Sequence, residues 1–218
     1  MTIEEKIGNR PVFVLAQGPS LNTLEKNIEI FRGLDCCYIA VNRFDAMEPI
    51  LHKINKKFDM VIMADLQHVS AASGQIKKFL QRGDDSIWIC GKDGLNISQL
   101  GYSSAPNNAY LNDSVFDSNP DCPQTLAVLI DVLINANTAK VFLFGCDGGV
   151  HQGEDFYNRD TVAYYSNAKE MEKDNERLNN NFWNIRGTST ATKIYNCCEH
   201  SKLNAFTKIN PLEFKKYL

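Results

Sequence analysis

"PVFVLAQGPSLN", residues 11–22, runs through a short apolar stretch straight into Gln17-Gly18-Pro19-Ser20. A continuous apolar run, rather than an alternating one, suits a strand covered on both faces, as in a parallel sheet. The break that follows is tight. Gly18 lets another group approach the main chain, Pro19 fixes φ and has no N–H to leave unsatisfied, and Ser20 brings a hydroxyl to the next segment. Asn22 and Glu25 have the spacing of a capping box, Leu24, Ile28 and Phe31 share a helical face, and Gly33 stands where that helix should stop. The stretch reads as strand, turn, helix, with main-chain N–H groups at the turn placed to cradle an anion.

The same unit recurs downstream. CYIAVN (37–42), MVIMAD (60–65), SIWICG (86–91) and KVFLFGCD (140–147) are further short apolar runs, and amphipathic segments at 46–56, 70–82, 123–136 and 164–179 lie between and after them. Strands alternating with helices imply an α/β, Rossmann-like, doubly wound and mostly parallel sheet with helices on both faces. Ligands of such sheets bind beyond the carboxyl ends of the strands. Here those ends read Gln17 to Ser20, Asn42-Arg43, Asp65 and Gly145-Cys146-Asp147. All 218 residues fit one domain, 1–218. Within it, the Asn-, Ser-, Asp-, Gly- and Pro-rich segment 92–122 reads as a long loop or lid, and NPLEFKKYL as a short closing helix.

A net charge of −3 with no Lys/Arg block excludes a whole-protein field for collecting nucleic acid or an anionic membrane. An anionic ligand must then be held by local devices. The opening MTIEEKIGNR lacks the apolar core of a secretory signal, and no stretch approaches the roughly 20 apolar residues that span a bilayer, so the expected compartment is the cytoplasm. Seven cysteines, mostly inside apolar runs and without C-x-x-C spacing, read as reduced, buried thiols rather than as disulfides or a zinc site. Oligomeric state is left open, a homo-oligomer included.

Neither G-x-x-x-x-G-K-[ST] nor G-x-G-x-x-G is present, so the usual phosphate-loop and dinucleotide fingerprints do not apply. AQGPSL instead resembles the G-x-G-P-S-L opening of the MptE-like domain family and of the bacterial family 42 sialyltransferases, with Gln17 where Gly or Asn is commoner. AVNRF, FDMVIMADLQHV, CPQTLAVLIDVLINANTAKVFLFGCDGG and IYNCCEHSKLNAF follow in matching order. The resemblance implies a nucleotide-binding transferase. One relative moves sialic acid from CMP-sialic acid, and the other moves diphosphate from ATP to a pterin alcohol with magnesium. It further implies that Gln17, Gly18, Pro19 and Ser20 hold phosphate and ribose, that Asn42 contacts the nucleotide, and that Asn196 and Ser201 lie on the nucleotide side. An amide such as Asn42 can serve ribose or base through donor and acceptor alike, or can be a turn residue bonded locally.

Two chemistries remain open on these residues. Asp65, Gly145 and Asp147, at strand ends on the ligand rim, are nucleotide-binding candidates, and in the diphosphokinase case the two carboxylates could hold Mg²⁺ against a diphosphate, although the dense acidic cluster of an MptE-type site is missing. Transfer from a CMP-sugar instead needs a base for the acceptor hydroxyl and groups that steady the departing phosphate, and requires no cofactor. The segment 147–167 supplies His151, Tyr157, Arg159, Tyr164 and Tyr165 as catalytic candidates. The sialyltransferases carry their base on a His beyond the tyrosines; this chain has no His between His151 and His200, so His151 would be a replacement. The leading expectation is a glycosyltransferase-like enzyme of cell-surface glycan synthesis, with a nucleotide-sugar and a small-molecule or glycan acceptor as partners. The alternatives are a magnesium-dependent diphosphokinase and a nucleotide-binding protein without catalysis.

Overall fold

The computed structural model describes residues 2–63, 73–82, 86–90, 109–111, 125–148, 168–186 and 191–218. Helix α1 (Ile3–Ile7) is started by a reciprocal capping box: Thr2 Oγ1 accepts from the Glu5 N–H at 3.1 Å, and the Thr2 N–H donates to Glu5 Oε2 at 2.7 Å. Then follow β1 (Val12–Leu15), α2 (Leu21–Lys26) with a 3₁₀ turn at Ile28–Phe31, β2 (Cys37–Val41), α3 (Phe44–His52) and β3 (Met60–Ile62). Next come α4 (Ser73–Leu80), β4 (Ile87–Cys90), β5 (Ala109–Leu111), α5 (Thr125–Asn135) and β6 (Lys140–Phe144). The chain closes with α6 (Ala168–Arg186), β7 (Lys193–Asn196), β8 (Thr207–Lys208) and a 3₁₀ turn at Phe214–Tyr217.

These strands form one eight-stranded sheet, ordered β5-β4-β3-β2-β1-β6-β7-β8, in which each neighbouring pair is parallel. From β1 the chain steps outward to β5, returns to the far side of β1, and steps outward again to β8. Crossovers of one hand that travel in opposite directions must lay their helices on opposite faces, and the packing agrees. Leu24 of α2, Met47 and Ile50 of α3 and Phe79 of α4 join Phe13, Leu15, Ala40 and Phe142 in one core; Ile7 of α1, Leu129 and Leu133 of α5 and Phe182 of α6 join Val12, Val14, Ile39 and Leu143 in the other. Alternate residues of β1 thus serve two cores, which is why its run is apolar without a break. Phe13 makes edge-on contacts with Phe31 at 5.1 Å, Phe142 at 5.3 Å and Phe214 at 5.2 Å, so both 3₁₀ turns pack on one ring.

The doubly wound fold is as the sequence implies, with three differences of detail. Strand β5 lies inside the segment read as a loop; the other residues of 92–122 are outside the described residues. Strands β7 and β8 extend the sheet past β6. Helix α2 begins at Leu21, one residue before the expected cap, and Ser20, already helical at φ −60° and ψ −15°, makes no side-chain cap bond. Its hydroxyl is engaged elsewhere. Among the described residues no helix is long and apolar enough to cross a membrane.

Candidate functional site

The winding direction reverses at β1, and the loops leaving β1 and β6 belong to connections whose helices lie on opposite faces of the sheet, an arrangement at which crevices of doubly wound folds open. In this protein the two loops are fastened together. The Ala16 N–H donates to the Phe144 carbonyl at 2.8 Å and the Gly18 N–H to the Gly145 carbonyl at 2.7 Å, which prolongs the ladder beyond the strands. Gly145 has φ +69°, and a Cβ added there would stand 2.1 Å from the Ala16 oxygen. Only glycine allows backbones this close in that conformation.

The carboxylate of Asp147, only 5% exposed, lies across the turn. The Ser20 N–H donates to both of its oxygens, at 3.1 and 3.3 Å, the Ser20 hydroxyl to Oδ2 at 2.8 Å, and the Cys198 thiol to Oδ1 at 3.3 Å. A Cβ at Gly18 would fall 2.0 Å from Oδ2. The space that glycine leaves at the turn is therefore taken by an internal carboxylate. Burial pushes the Cys198 thiol up to about 11, with the Asp147 charge adding to it, so this sulfur stays protonated and donates.

The segment after β7 completes the lock. Ser201 Oγ donates to the Cys146 carbonyl at 2.7 Å while accepting from Asn196 Nδ2 at 2.9 Å and from the Leu203 N–H at 3.0 Å, which uses its proton and both lone pairs. Asn196 Nδ2 also reaches the Cys146 carbonyl at 3.2 Å, and the Lys202 N–H donates to the Asp147 carbonyl at 2.8 Å. Asn196 and Ser201 are 1% and 3% exposed. Their described bonds brace the chain just past β6 at the Cys146 carbonyl. His200 stands exposed in the turn just before Ser201.

Gln17 and Asn42 are placed differently. They follow β1 and β2, neighbouring parallel strands, and each carries a buried polar atom with no hydrogen-bond partner, Nε2 of Gln17 and Oδ1 of Asn42, as Asn196 does on the other side of β6 at its Oδ1. Asn42 is a turn residue, at φ +63°, with its N–H donating to the Ile62 carbonyl at 2.9 Å and its own carbonyl accepting from the Phe44 N–H at 2.7 Å. Its side-chain oxygen, however, is not spent on that turn. Natural folds seldom leave a buried amide atom unbonded, and such an atom calls for an explanation.

Of the residues singled out by sequence, Gln17, Gly18, Pro19, Ser20, Asn42, Gly145, Asp147, Asn196 and Ser201 converge on the rim around β1 and β6. Asp65, His151, Tyr157, Arg159, Tyr164 and Tyr165 lie outside the described residues. Cys198 was given no role, although it lies in IYNCCEHSKLNAF between Asn196 and Ser201, since its contact with Asp147 depends on the chain folding back after β7. Of the two carboxylates considered for magnesium, Asp65 lies outside the described residues, and both Asp147 oxygens face protein donors.

A comparison with solved structures adds one result. In fold, this chain is similar to a sialyltransferase. The structure is that of the sialyltransferase CST-II in complex with a trisaccharide acceptor and CMP; it matches at a TM-score of 0.54 and 16% identity, over 93% of this chain and 86% of that one. No protein-family model and no curated protein sequence matches the chain.

Proposed function

We propose that this chain is a glycosyltransferase that takes a CMP-activated sugar as donor and works in cell-surface glycan synthesis. The observation that carries the reading is the pair of unsatisfied amide atoms, Gln17 Nε2 and Asn42 Oδ1, at adjacent strand ends on the sheet rim. One is a donor and the other an acceptor. A nucleoside offers both complements, in its ribose hydroxyls or along a base edge. Support for cytidine comes from the fold, which is shared with a sialyltransferase solved with CMP.

The leaving group of such a donor is already a phosphate, so the residues needed are those that steady it and one base for the acceptor hydroxyl. In this reading Arg159 and the hydroxyls of Tyr157, Tyr164 and Tyr165 serve the phosphate, and His151 takes the acceptor proton.

Calorimetric titration with CMP, UMP and GMP, followed by CMP-, UDP- and GDP-sugars, tests this directly. CMP and a CMP-sugar are expected to bind, with N42A and Q17A each weakening binding about 10-fold, the value of one buried hydrogen bond. Absence of binding by any cytidine nucleotide at millimolar concentration would refute the proposal. Turnover of a CMP-sugar should fall in H151A and Y165F with affinity retained; binding without any turnover in the parent protein would leave a nucleotide-binding protein instead.

A further inference from the structure

We infer that Asp147 is a positioning residue that fills the cradle of the β1 turn from inside, so that a nucleotide meets this turn through its sugar or base and not through a phosphate on the Ser20 N–H. The ligand half of this inference rests on the reading just proposed; the half concerning Asp147 stands on the geometry alone.

The turn has the makings of an anion site, with a small residue, a hydroxyl and an N–H at the start of a helix, and it holds an anion already. Asp147 takes the Ser20 N–H and hydroxyl together. It does so from the space a side chain at Gly18 would occupy, 2.0 Å from a Cβ there. The carboxylate is also aimed. Its own carbonyl is held by the Lys202 N–H, the carbonyl before it by Ser201 and Asn196, and its Oδ1 receives the Cys198 thiol. A phosphate on the Ser20 N–H would have to displace a carboxylate fixed from two segments of chain, the turn at Ser20 and the stretch 196–202, and then sit beside it, like charge against like charge. Gln17, one residue ahead of the glycine, presents an unbonded amide nitrogen instead. A neutral hydroxyl or ring oxygen accepts from that nitrogen without opposing Asp147.

Amide exchange and titration followed by ¹⁵N NMR on the full chain separate the two halves. Without ligand, the Ser20 amide should exchange slowly in the parent protein and about 10-fold faster or more in D147A, as a solvent-open amide does. D147N keeps the volume and one acceptor oxygen and should fall between them, and it supplies the comparison should D147A fail to fold. Cytidine and CMP should both move the side-chain amides of Gln17 and Asn42 and leave the Ser20 amide in place, and S20A should change the two affinities by the same factor. The inference is overturned if the Ser20 amide is unprotected in the ligand-free protein, if CMP but not cytidine shifts it, or if S20A weakens CMP about 10-fold more than cytidine. If neither ligand moves any resonance, the CMP-donor reading fails, and the exchange rates in the Asp147 variants still decide whether that residue holds the turn.

Discussion

Heated in reductant at pH 10, the protein is expected to unfold about 10 °C below its melting point at pH 7.5, because its buried thiols cannot ionise where they lie. Cys36, Cys37, Cys146, Cys197 and Cys198 are all free and buried. Burial is the leading cause of the upward shift in each: Cys198 is pushed up to about 11, Cys36 to about 12, and Cys37, Cys146 and Cys197 also rise. The sign follows from which state keeps its protons. Near pH 9 the unfolded chain begins to release thiol protons while the folded chain holds them, so the stability present below pH 9 is lost as pH climbs toward the folded values. Each thiol that stays protonated contributes about 1.4 kcal/mol per pH unit, so the three deepest alone cost about 4 kcal/mol by pH 10. That is a large part of the 5–15 kcal/mol that typically holds a domain together. Melting curves from pH 7 to 10.5 should be flat to about pH 8.5 and then fall. C146A should lessen the slope by about one thiol's share, which separates this effect from lysine titration. A melting temperature unchanged at pH 10 would mean that these sulfurs reach water in the folded state.

What the sequence revealed of this architecture depended on how deeply each segment is buried. Strands β1, β2, β3, β4 and β6 lie in the middle of the sheet or next to it, and the runs VFVL, CYIAV and VFLF stand out because both faces need apolar residues. Strand β7, with Lys193 exposed and Ile194 and Tyr195 half-buried, has no such pattern, and β8 is two residues long. Both are specified by pairing with β6 and with each other, a long-range property. The rim was legible in the same uneven way. Polar strand ends put Gln17, Asn42, Asp65 and Asp147 on one rim, and of these Gln17, Asn42 and Asp147 follow the adjacent strands β1, β2 and β6, while Asp65 lies outside the described residues. Composition could not show that Ser20 and Asp147 bond to each other while Gln17 and Asn42 keep unbonded atoms, since that is settled by the distance between two loops separated by more than a hundred residues. The helix start was displaced for a local reason: α2 begins at Leu21, so Asn22 lies inside it and cannot cap it, and Ser20 is itself helical at φ −60° and ψ −15° where a capping residue is usually extended.

G145A should cost more than a methyl added at a glycine of positive φ whose surroundings are empty, and G33A is the comparison that shows why. Both glycines have left-handed backbones, φ +69° at Gly145 and φ +77° at Gly33, so an alanine at either bears the same conformational penalty of about 1–2 kcal/mol. Gly33 has nothing within 4 Å of an added Cβ. At Gly145 that Cβ would lie 2.1 Å from the Ala16 oxygen, 2.9 Å from the Ala16 carbon and 3.2 Å from the Gly18 nitrogen, all main-chain atoms. Backbone cannot rotate aside as a side chain can. Relief requires β1 and β6 to part at their carboxyl ends, which strains the Ala16-to-Phe144 and Gly18-to-Gly145 hydrogen bonds and draws Ser20 away from Asp147. We expect G33A to lose about 1–2 kcal/mol and G145A about 4 kcal/mol or more, enough to lower the melting point by roughly 10 °C or prevent folding. Because the rim moves with the strands, G145A protein that does fold should also show faster exchange at the Ser20 amide, whereas G33A should not. Equal losses in the two variants would show that the penalty comes from φ alone and that the loops after β1 and β6 do not meet as closely as described.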